Sequence, residues 1–440
     1  MIKRIKKLYS NLDIHTAEVL RKSAASTVVK VSGMAIGLGI SVFLGRTIGA
    51  DGLGIINLSN RIIILLMVVG LFGMQQVIIK EVSIARSKNA MKRIGNVMYT
   101  TYWINGGITF SITIIGILLA PWLSLSVFHE PLLKWPLIIA LIVMPPQVLS
   151  RIFSSGLIGY KKIWQGNLVD QTLSTFIAGV SLIILKILAI NITVIHVAIA
   201  YAIGRITVTI TSGIYWSKIH TYRAYKEEKK FIGHDLIKMA LSMLVINAAS
   251  LVSMNVPFIL LGWLGNANQV GLFSVSSRLA FITIFLLQVT GSTIAPKIAA
   301  LYESNRLEEI EMMVQKVTKG LVLFGILVLI FFAVFGKFVL SIWGTEFEDA
   351  YQLLLILCLG QFVNLSTGAV GLILVMSGFE KTQSHISISF LFLSYFLIKY
   401  YGALGAAIST TITISGQNIT QVIFAKAKVG ITTIPWLGKI

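Results

Sequence analysis

The sequence predicts an all-α integral membrane protein, with about twelve transmembrane helices in two pseudo-symmetric six-helix lobes around a central cleft. Three observations carry that expectation. Of the 440 residues, 56% are apolar or aromatic and only 12% are charged, about half the ~25% of an average soluble domain. Mean hydropathy is +0.85. Apolar windows of spanning length recur along the whole chain, and basic residues alternate in density between successive loops. A soluble enzyme, a disordered chain and a nucleic-acid-binding domain are all disfavoured by this composition. The formal charge of +20 reads as an orientation signal.

The first apolar window, 24–45, follows the basic stretch Lys3-Arg4-Lys6-Lys7. It is longer than the 7–15-residue apolar core of a signal peptide, so it reads as a retained first helix. Further spans are expected at 55–79, 97–120, 135–159, 167–189 and 196–216. The second set is expected at 236–263, 272–297, 318–342, 350–376, 385–400 and 403–425, with a very tight turn at Tyr401-Gly402 between the last two. With the N-terminus cytoplasmic, 26 of the 37 Lys and Arg fall in cytoplasmic segments and 5 in or beside external loops, as the positive-inside rule requires. Both termini are then cytoplasmic. Trp122, Trp135, Trp164, Trp216, Trp263 and Trp343 sit at span ends, like an aromatic belt. Pro145-Pro146, Pro257 and Pro296, the last ending the eighth span, can kink their helices.

The most polar loop, 217–235, lies at the midpoint and divides the chain into an N-terminal lobe (1–216), a basic linker and a C-terminal lobe (236–440). An internal repeat supports that division. Gly54-Ile-Ile-Asn-Leu-Ser-Asn-Arg61-Ile resembles Gly271-Leu-Phe-Ser-Val-Ser-Ser-Arg278-Leu, 217 residues later, and Gly159-Tyr160-Lys161-Lys162 resembles Gly378-Phe379-Glu380-Lys381. Two six-helix halves in parallel repeat form a transporter-like arrangement.

Three segments resemble a known family. Gly45-Arg46-Thr47-Ile48-Gly49-Ala50-Asp51-Gly52-Leu53-Gly54 looks like the loop after the first helix in bacterial polysaccharide-repeat (O-antigen, Wzx-type) flippases of the multidrug/oligosaccharidyl-lipid/polysaccharide exporter superfamily. Leu340-Ser-Ile-Trp343-Gly344-Thr-Glu-Phe347-Glu-Asp-Ala350 resembles that family's external loop after the ninth helix, and Tyr401-Gly402-Ala-Leu404-Gly405-Ala406-Ala407 its tight turn before the last. Leu53 and Ile48 are mild departures, where an aromatic and Leu are usual. The resemblance implies a multidrug-exporter-like fold in the bacterial cytoplasmic membrane. Its implied role is to move an undecaprenyl-pyrophosphate-linked oligosaccharide to the periplasmic leaflet for an O-antigen-like polysaccharide. A polysaccharide polymerase and a chain-length protein are the partners it implies.

Chemistry is sought in the polar residues inside the spans. Lys30, Arg61, Arg151, Arg205, Lys238 and Arg278 are cationic there, and Asp170 is the one acid. Each buried cation costs about 2.5–3.5 kcal/mol on insertion scales, so an excess of them suits an anionic partner. Lys238, near its span end, is expected to snorkel. Arg61, Arg278, Arg205, Lys30, Asn57 and Gln75 are the expected substrate-binding residues. Asn57, Arg61 and Gln75 fall on one arc of an ideal second helix; Ser274, Arg278 and Ser292 form the matching arc of the eighth. Further stripes run along Arg205, Thr209 and Ser212, and along Thr413, Gln417, Thr420 and Gln421. Asp170 is expected either to pair with Arg151 or to couple a cation.

The six histidines lack metal-ligand spacing, Cys358 stands alone, and no nucleotide-binding motif occurs. No cofactor, metal or nucleic acid is therefore expected. A multidrug, cation-coupled exporter of the same superfamily is the nearest alternative, although cationic drugs need buried carboxylates. A membrane polymerase or ligase is less favoured, because the longest external loop, 121–134, carries one acid, Glu130.

Overall fold

The computed structural model describes residues 14–220, 230–377, 379 and 391–436. The basic N-terminal stretch, residues 221–229 of the inter-lobe linker, three residues of the second Gly-aromatic-x-Lys copy and residues 385–390 of the eleventh expected span lie outside these. Among the described residues the chain is helical with no strand. In a spanning chain this is physically required, because the bilayer core offers no water to backbone N–H and C=O groups.

Helix α1 (Ile14–Leu71) covers the first expected span and most of the second, and breaks at Gly49 (φ 68°, ψ −175°). Helices α2 (Met74–Ser87) and α3 (Met91–Trp122) follow. The expected fourth span is a pair, α4 (Lys134–Ile142) and α5 (Met144–Gly159), bent by 43°. Pro145 and Pro146 occupy the first turn of α5, where a missing N–H costs nothing. The fifth is α6 (Ile163–Asn167), a π-turn over Leu168–Thr172 and α7 (Leu173–Ile187); its bend is 44°. Helix α8 (Val194–Ile219) completes the first set.

In the second set, α9 (Gly233–Leu264) contains Pro257. Helices α10 (Ala267–Ile282) and α11 (Ile284–Glu303) are bent by 44° at Thr283, measured over Ala267–Ile282 and Ile284–Gly291. Pro296 does not end its helix, which continues to Glu303: a proline removes one bond of the ladder and leaves the others. Helix α12 (Leu307–Ser341) leads through a 3-10 turn to α13 (Tyr351–Thr367) and α14 (Val370–Met376). Helix α15 (Leu391–Val429) holds the described part of the eleventh expected span and all of the twelfth, and reverses at Gly402 (φ 53°, ψ −130°). A Cβ on Gly405 would overlap the Leu397 carbonyl, so the two arms pack backbone to backbone. The left-handed φ at Gly402 is what a Cβ-free residue allows.

Five helices are long and apolar enough to cross a membrane, and up to eight if each bent pair is one span, among the described residues. Large apolar side chains such as Leu118, Ile187, Leu323, Phe338 and Phe392 are exposed, the surface expected of lipid-facing helices.

Packing divides the chain into two compact units. One comprises Met1–Ile40, Leu66–Leu118 and Ile138–Leu244; the other Ser41–Leu65, Leu119–Leu137 and Val245–Ile440. These are not the sequence halves. In the second unit, 41–65 and 119–137 join the C-terminal residues because short polar and backbone contacts stitch them there. In the first, α5 packs on α2 and α8, and α7 on α8; in the second, α13 packs on α12, α10 and α15.

Candidate functional site

The site lies in the second compact unit, where the second part of α1 meets α10. Ala50, Gly54, Asn57 and Arg61 match Ala267, Gly271, Ser274 and Arg278, each pair 217 residues apart. The contacts are reciprocal in those pairs. A Cβ on Gly54 would overlap the carbonyl of Ala267, and one on Gly271 the carbonyl of Ala50. The helices therefore cross backbone to backbone, as only glycine permits. One turn further, Asn57 Nδ2 donates to Ser274 Oγ at 3.0 Å, with both residues buried. Repeat-equivalent residues thus touch each other, which is the signature of a local two-fold axis.

Arg61 and Arg278 lie one turn beyond, close enough to act electrostatically on one another. Because the helix restarts at Ala50, Arg61 is eleven residues past that start, and Arg278 eleven past Ala267. That is about 16 Å at 1.5 Å per residue, not the ~9 Å implied by a span beginning at 55. The Arg61 guanidinium carbon sits 4.0 Å from the Phe258 ring centroid, and Nη1 donates to Asn255 Oδ1 at 2.9 Å. Asn255 is itself fixed by donating to the Leu251 carbonyl at 2.6 Å. A stacked guanidinium keeps its edge donors pointing in one direction, a fork matched to phosphate oxygens.

The two loops singled out by their sequences close the end of this crossing. Trp343 Nε1 donates to Ser41 Oγ at 3.0 Å, and Arg46 Nε donates to the Ile342 carbonyl at 2.7 Å. Glu346 Oε1 accepts the Ala50 N–H at 2.8 Å, while Glu130 Oε1 accepts the Ala267 N–H at 3.0 Å. Each carboxylate caps a helix start contributed by the other half of the repeat, where the backbone dipole favours negative charge. Sequence reasoning noticed both loops but not that they are partners.

The remaining expected site residues are elsewhere. Gln75 is not on the helix of Asn57 and Arg61: Phe72 (φ 48°) and Gly73 (φ 72°) break the chain, so Gln75 lies on α2 in the first unit. A Cβ on Gly73 would overlap the Ala240 carbonyl, a tertiary cause invisible to periodicity. Ser292 lies past the bend at Thr283, and its side chain is outside the described residues. Lys30 and Lys238 belong to the first unit and are exposed. Arg205 is in that unit too, within electrostatic reach of Tyr201 and Arg151. Thr209, on its stripe, donates to the Pro146 carbonyl at 2.7 Å. Arg151 Nε lies 3.4 Å from Asp170 Oδ1 without hydrogen-bond alignment. Asp170 sits in the π-turn. Tyr160, from the second repeated segment, serves packing at the end of α5. Its hydroxyl meets His220 Nδ1 at 3.0 Å and Arg86 lies over its ring at 4.9 Å. Burial raises its pKa against the opposing pull of Arg86.

This architecture is that of a multi-pass membrane protein. The chain is similar to a multidrug-resistance MATE transporter of the MOP superfamily in an inward-facing conformation, at 14% identity and a TM-score of 0.77, covering 92% of this chain and 98% of that one. It is similar also to the lipid II flippase MurJ in an inward closed conformation: 14% identity, TM-score 0.73, 92% of this chain and 87% of the other. A MOP-superfamily transporter from Pyrococcus furiosus Vc1 (DSM3638), described as having a binding pocket of reverse polarity that suggests a different function, matches at 13% identity. Its TM-score is 0.67, over 94% and 96% of the two chains. The chain thus has their all-α, two-lobe fold. The polysaccharide biosynthesis protein family matches residues 19–302, and the chain belongs to that family. No curated protein matches it in sequence.

Proposed function

We propose that the protein is a flippase. Its substrate is an undecaprenyl-pyrophosphate-linked oligosaccharide repeat unit, carried from the cytoplasmic to the periplasmic leaflet by alternating access for an O-antigen-like surface polysaccharide. The observation that carries this reading is the Arg61–Arg278 pair beside a local two-fold axis, about 16 Å along its helices, with Arg61 held by the neutral Asn255 and Phe258. Two cations held together are stabilised by a dianion that bridges them, so loading and conformational bias are coupled. Family membership supports a polysaccharide-pathway substrate, and the MurJ-like fold is compatible with a lipid-linked one. No covalent chemistry is needed, so the protein is not an enzyme under this reading.

The proposal includes an inner-membrane location, cytoplasmic termini, repeat lobes 1–216 and 236–440 joined by 217–235, and polymerase and chain-length partners. A multidrug exporter of cations is the alternative, and two neighbouring arginines are a poor receptor for a cation. In a complementation assay, Arg61→Ala and Arg278→Ala abolish glycan export at normal protein abundance. Arg→Lys at either position retains part of it, because charge persists while the bidentate fork is lost. Wild-type export by the Arg61→Ala/Arg278→Ala double variant defeats the reading.

A further inference from the structure

A cavity of about 280 Å³ lies among α9, α10, α11, α13 and α15, all within the second compact unit. It joins a wider cavity of about 480 Å³ that shares Ser253, Met254, Gln288, Asn364, Gln417 and Asn418. The wider cavity reaches the ~300–1,000 Å³ range of small-molecule sites. The lining has an unusual chemistry for a membrane interior: among the described residues it contains no ionisable side chain but several side-chain amides, hydroxyls and phenyl rings.

Such a surface is selective. Each amide presents two donors and an acceptor, and each hydroxyl can do either, so the wall complements groups that donate and accept at once. The phenyl rings of Phe258, Phe273 and Phe281 offer flat apolar faces beside them. Neutral sugars have this combination of hydroxyl or acetamido groups and C–H faces. The wall is also under-satisfied: the hydroxyls of Ser277, Thr410 and Thr413 are buried and make no hydrogen bond within the described protein. A buried polar group without a partner is costly, and three around one cavity point to an occupant that supplies partners. Other wall groups are already ordered: Asn364 Nδ2 donates to Gln361 Oε1 at 3.2 Å, and Asn418 Nδ2 to the Ile414 carbonyl at 2.8 Å.

Position supplies the second argument. Phe258 lines this cavity and carries the Arg61 guanidinium 4.0 Å from its centroid. Ser277 lines it as well and immediately precedes Arg278. Phe258 and Ser277 thus link the cavity wall to the two arginines, so a ligand with its anionic group on the arginines has its adjoining group beside this wall. We propose that this cavity is the subsite for the neutral sugar attached to the phosphate end of the lipid-linked substrate. The proposal rests on the flippase reading and extends it: the arginines hold the charge, and Asn364, Gln417, Thr410 and Thr413 recognise the glycan.

The test uses the full-length protein in nanodiscs with two probes, undecaprenyl pyrophosphate and the lipid-linked repeat unit that accumulates in cells lacking the protein. Wild type is expected to bind the glycosylated lipid at least tenfold more tightly. Asn364→Leu with Gln417→Leu, and separately the shape-conserving Thr413→Val, reduce that preference and leave affinity for undecaprenyl pyrophosphate unchanged. Arg61→Ala weakens both probes. Equal wild-type affinity for the two probes overturns the sugar subsite while the flippase reading stands. Equal loss of both probes in the cavity variants, or an intact preference in Thr413→Val and the double variant, overturns it likewise. Binding of neither probe by wild type removes the flippase reading and the subsite with it.

Discussion

Adding one methyl group at the helix crossing tests whether that crossing is a moving part. In Gly54→Ala the new Cβ overlaps the Ala267 carbonyl oxygen and stands 2.7 Å from its carbon; in Gly271→Ala it overlaps the Ala50 oxygen and stands 2.8 Å from that carbon. Both obstacles are backbone, so no side chain can rotate away and the helices have to separate. Overpacking of this kind costs about 1–3 kcal/mol, which shifts a two-state equilibrium roughly 5- to 150-fold towards the state in which the crossing is open. Ser274 is 6% exposed and reports on the crossing. With Ser274→Cys in a Cys358→Ser background, maleimide labelling in nanodiscs should accelerate by that factor in either alanine variant. Because one separation relieves both overlaps, the Gly54→Ala/Gly271→Ala effects should be strongly non-additive. Unchanged labelling in both single variants at normal abundance, or a double variant equal to the product of the singles, refutes the reasoning.

Three further outcomes are expected. Removing one partner of the Arg151–Asp170 pair strands a charge, so Arg151→Gln or Asp170→Asn lowers membrane abundance more than the double change does; purely additive losses leave Asp170 as a coupling residue. Trp343→Phe loses the bond to Ser41, about 1 kcal/mol, whereas Trp343→Ala also empties a buried site at about 3–5 kcal/mol. Thermal aggregation in detergent should rank wild type, Phe, Ala in falling stability, and Ala matching Phe contradicts that packing role. Reporter fusions after Lys88 and at Glu130 should read cytoplasmic and periplasmic respectively; the reverse overturns the proposed orientation.

The sequence exposed what depends on local chemistry. Apolar length located helices, and Gly402 marked a reversal because few other residues adopt its backbone. The 217-residue repeat paired Arg61 with Arg278 without any knowledge of packing. It could not show that Asn57 and Ser274 bond to each other, since contact depends on how the copies pack. The break at Phe72–Gly73 was hidden because its cause, the Ala240 backbone, is distant in sequence. Asn255 and Phe258 were missed as partners of Arg61 because each stands in an apolar stretch of α9 without a stripe. Along α15 the stripe was legible: Thr413, Gln417 and Gln421 line the two cavities. Gln361 and Asn364 are neighbours three apart on α13, whereas Gln288 stands on α11, and only packing brings these helices around one cavity.

The bond between Asn57 and Ser274 carries one more consequence. The frame around it is symmetric, yet the pair is not, since an amide donates and a hydroxyl receives. Asn255 and Phe258 sit beside Arg61, and the amide-lined cavity is drawn from residues 253–421 alone. A diphosphate has nearly mirror-like ends of its own, so a perfectly duplicated cradle would accept it in either direction. If Arg61 and Arg278 hold a diphosphate as proposed, unlike walls on either side of a shared axis let the cradle tell the head of such a molecule from its tail. Under that proposal duplication supplies the grip, and the difference between the copies supplies the sense of direction.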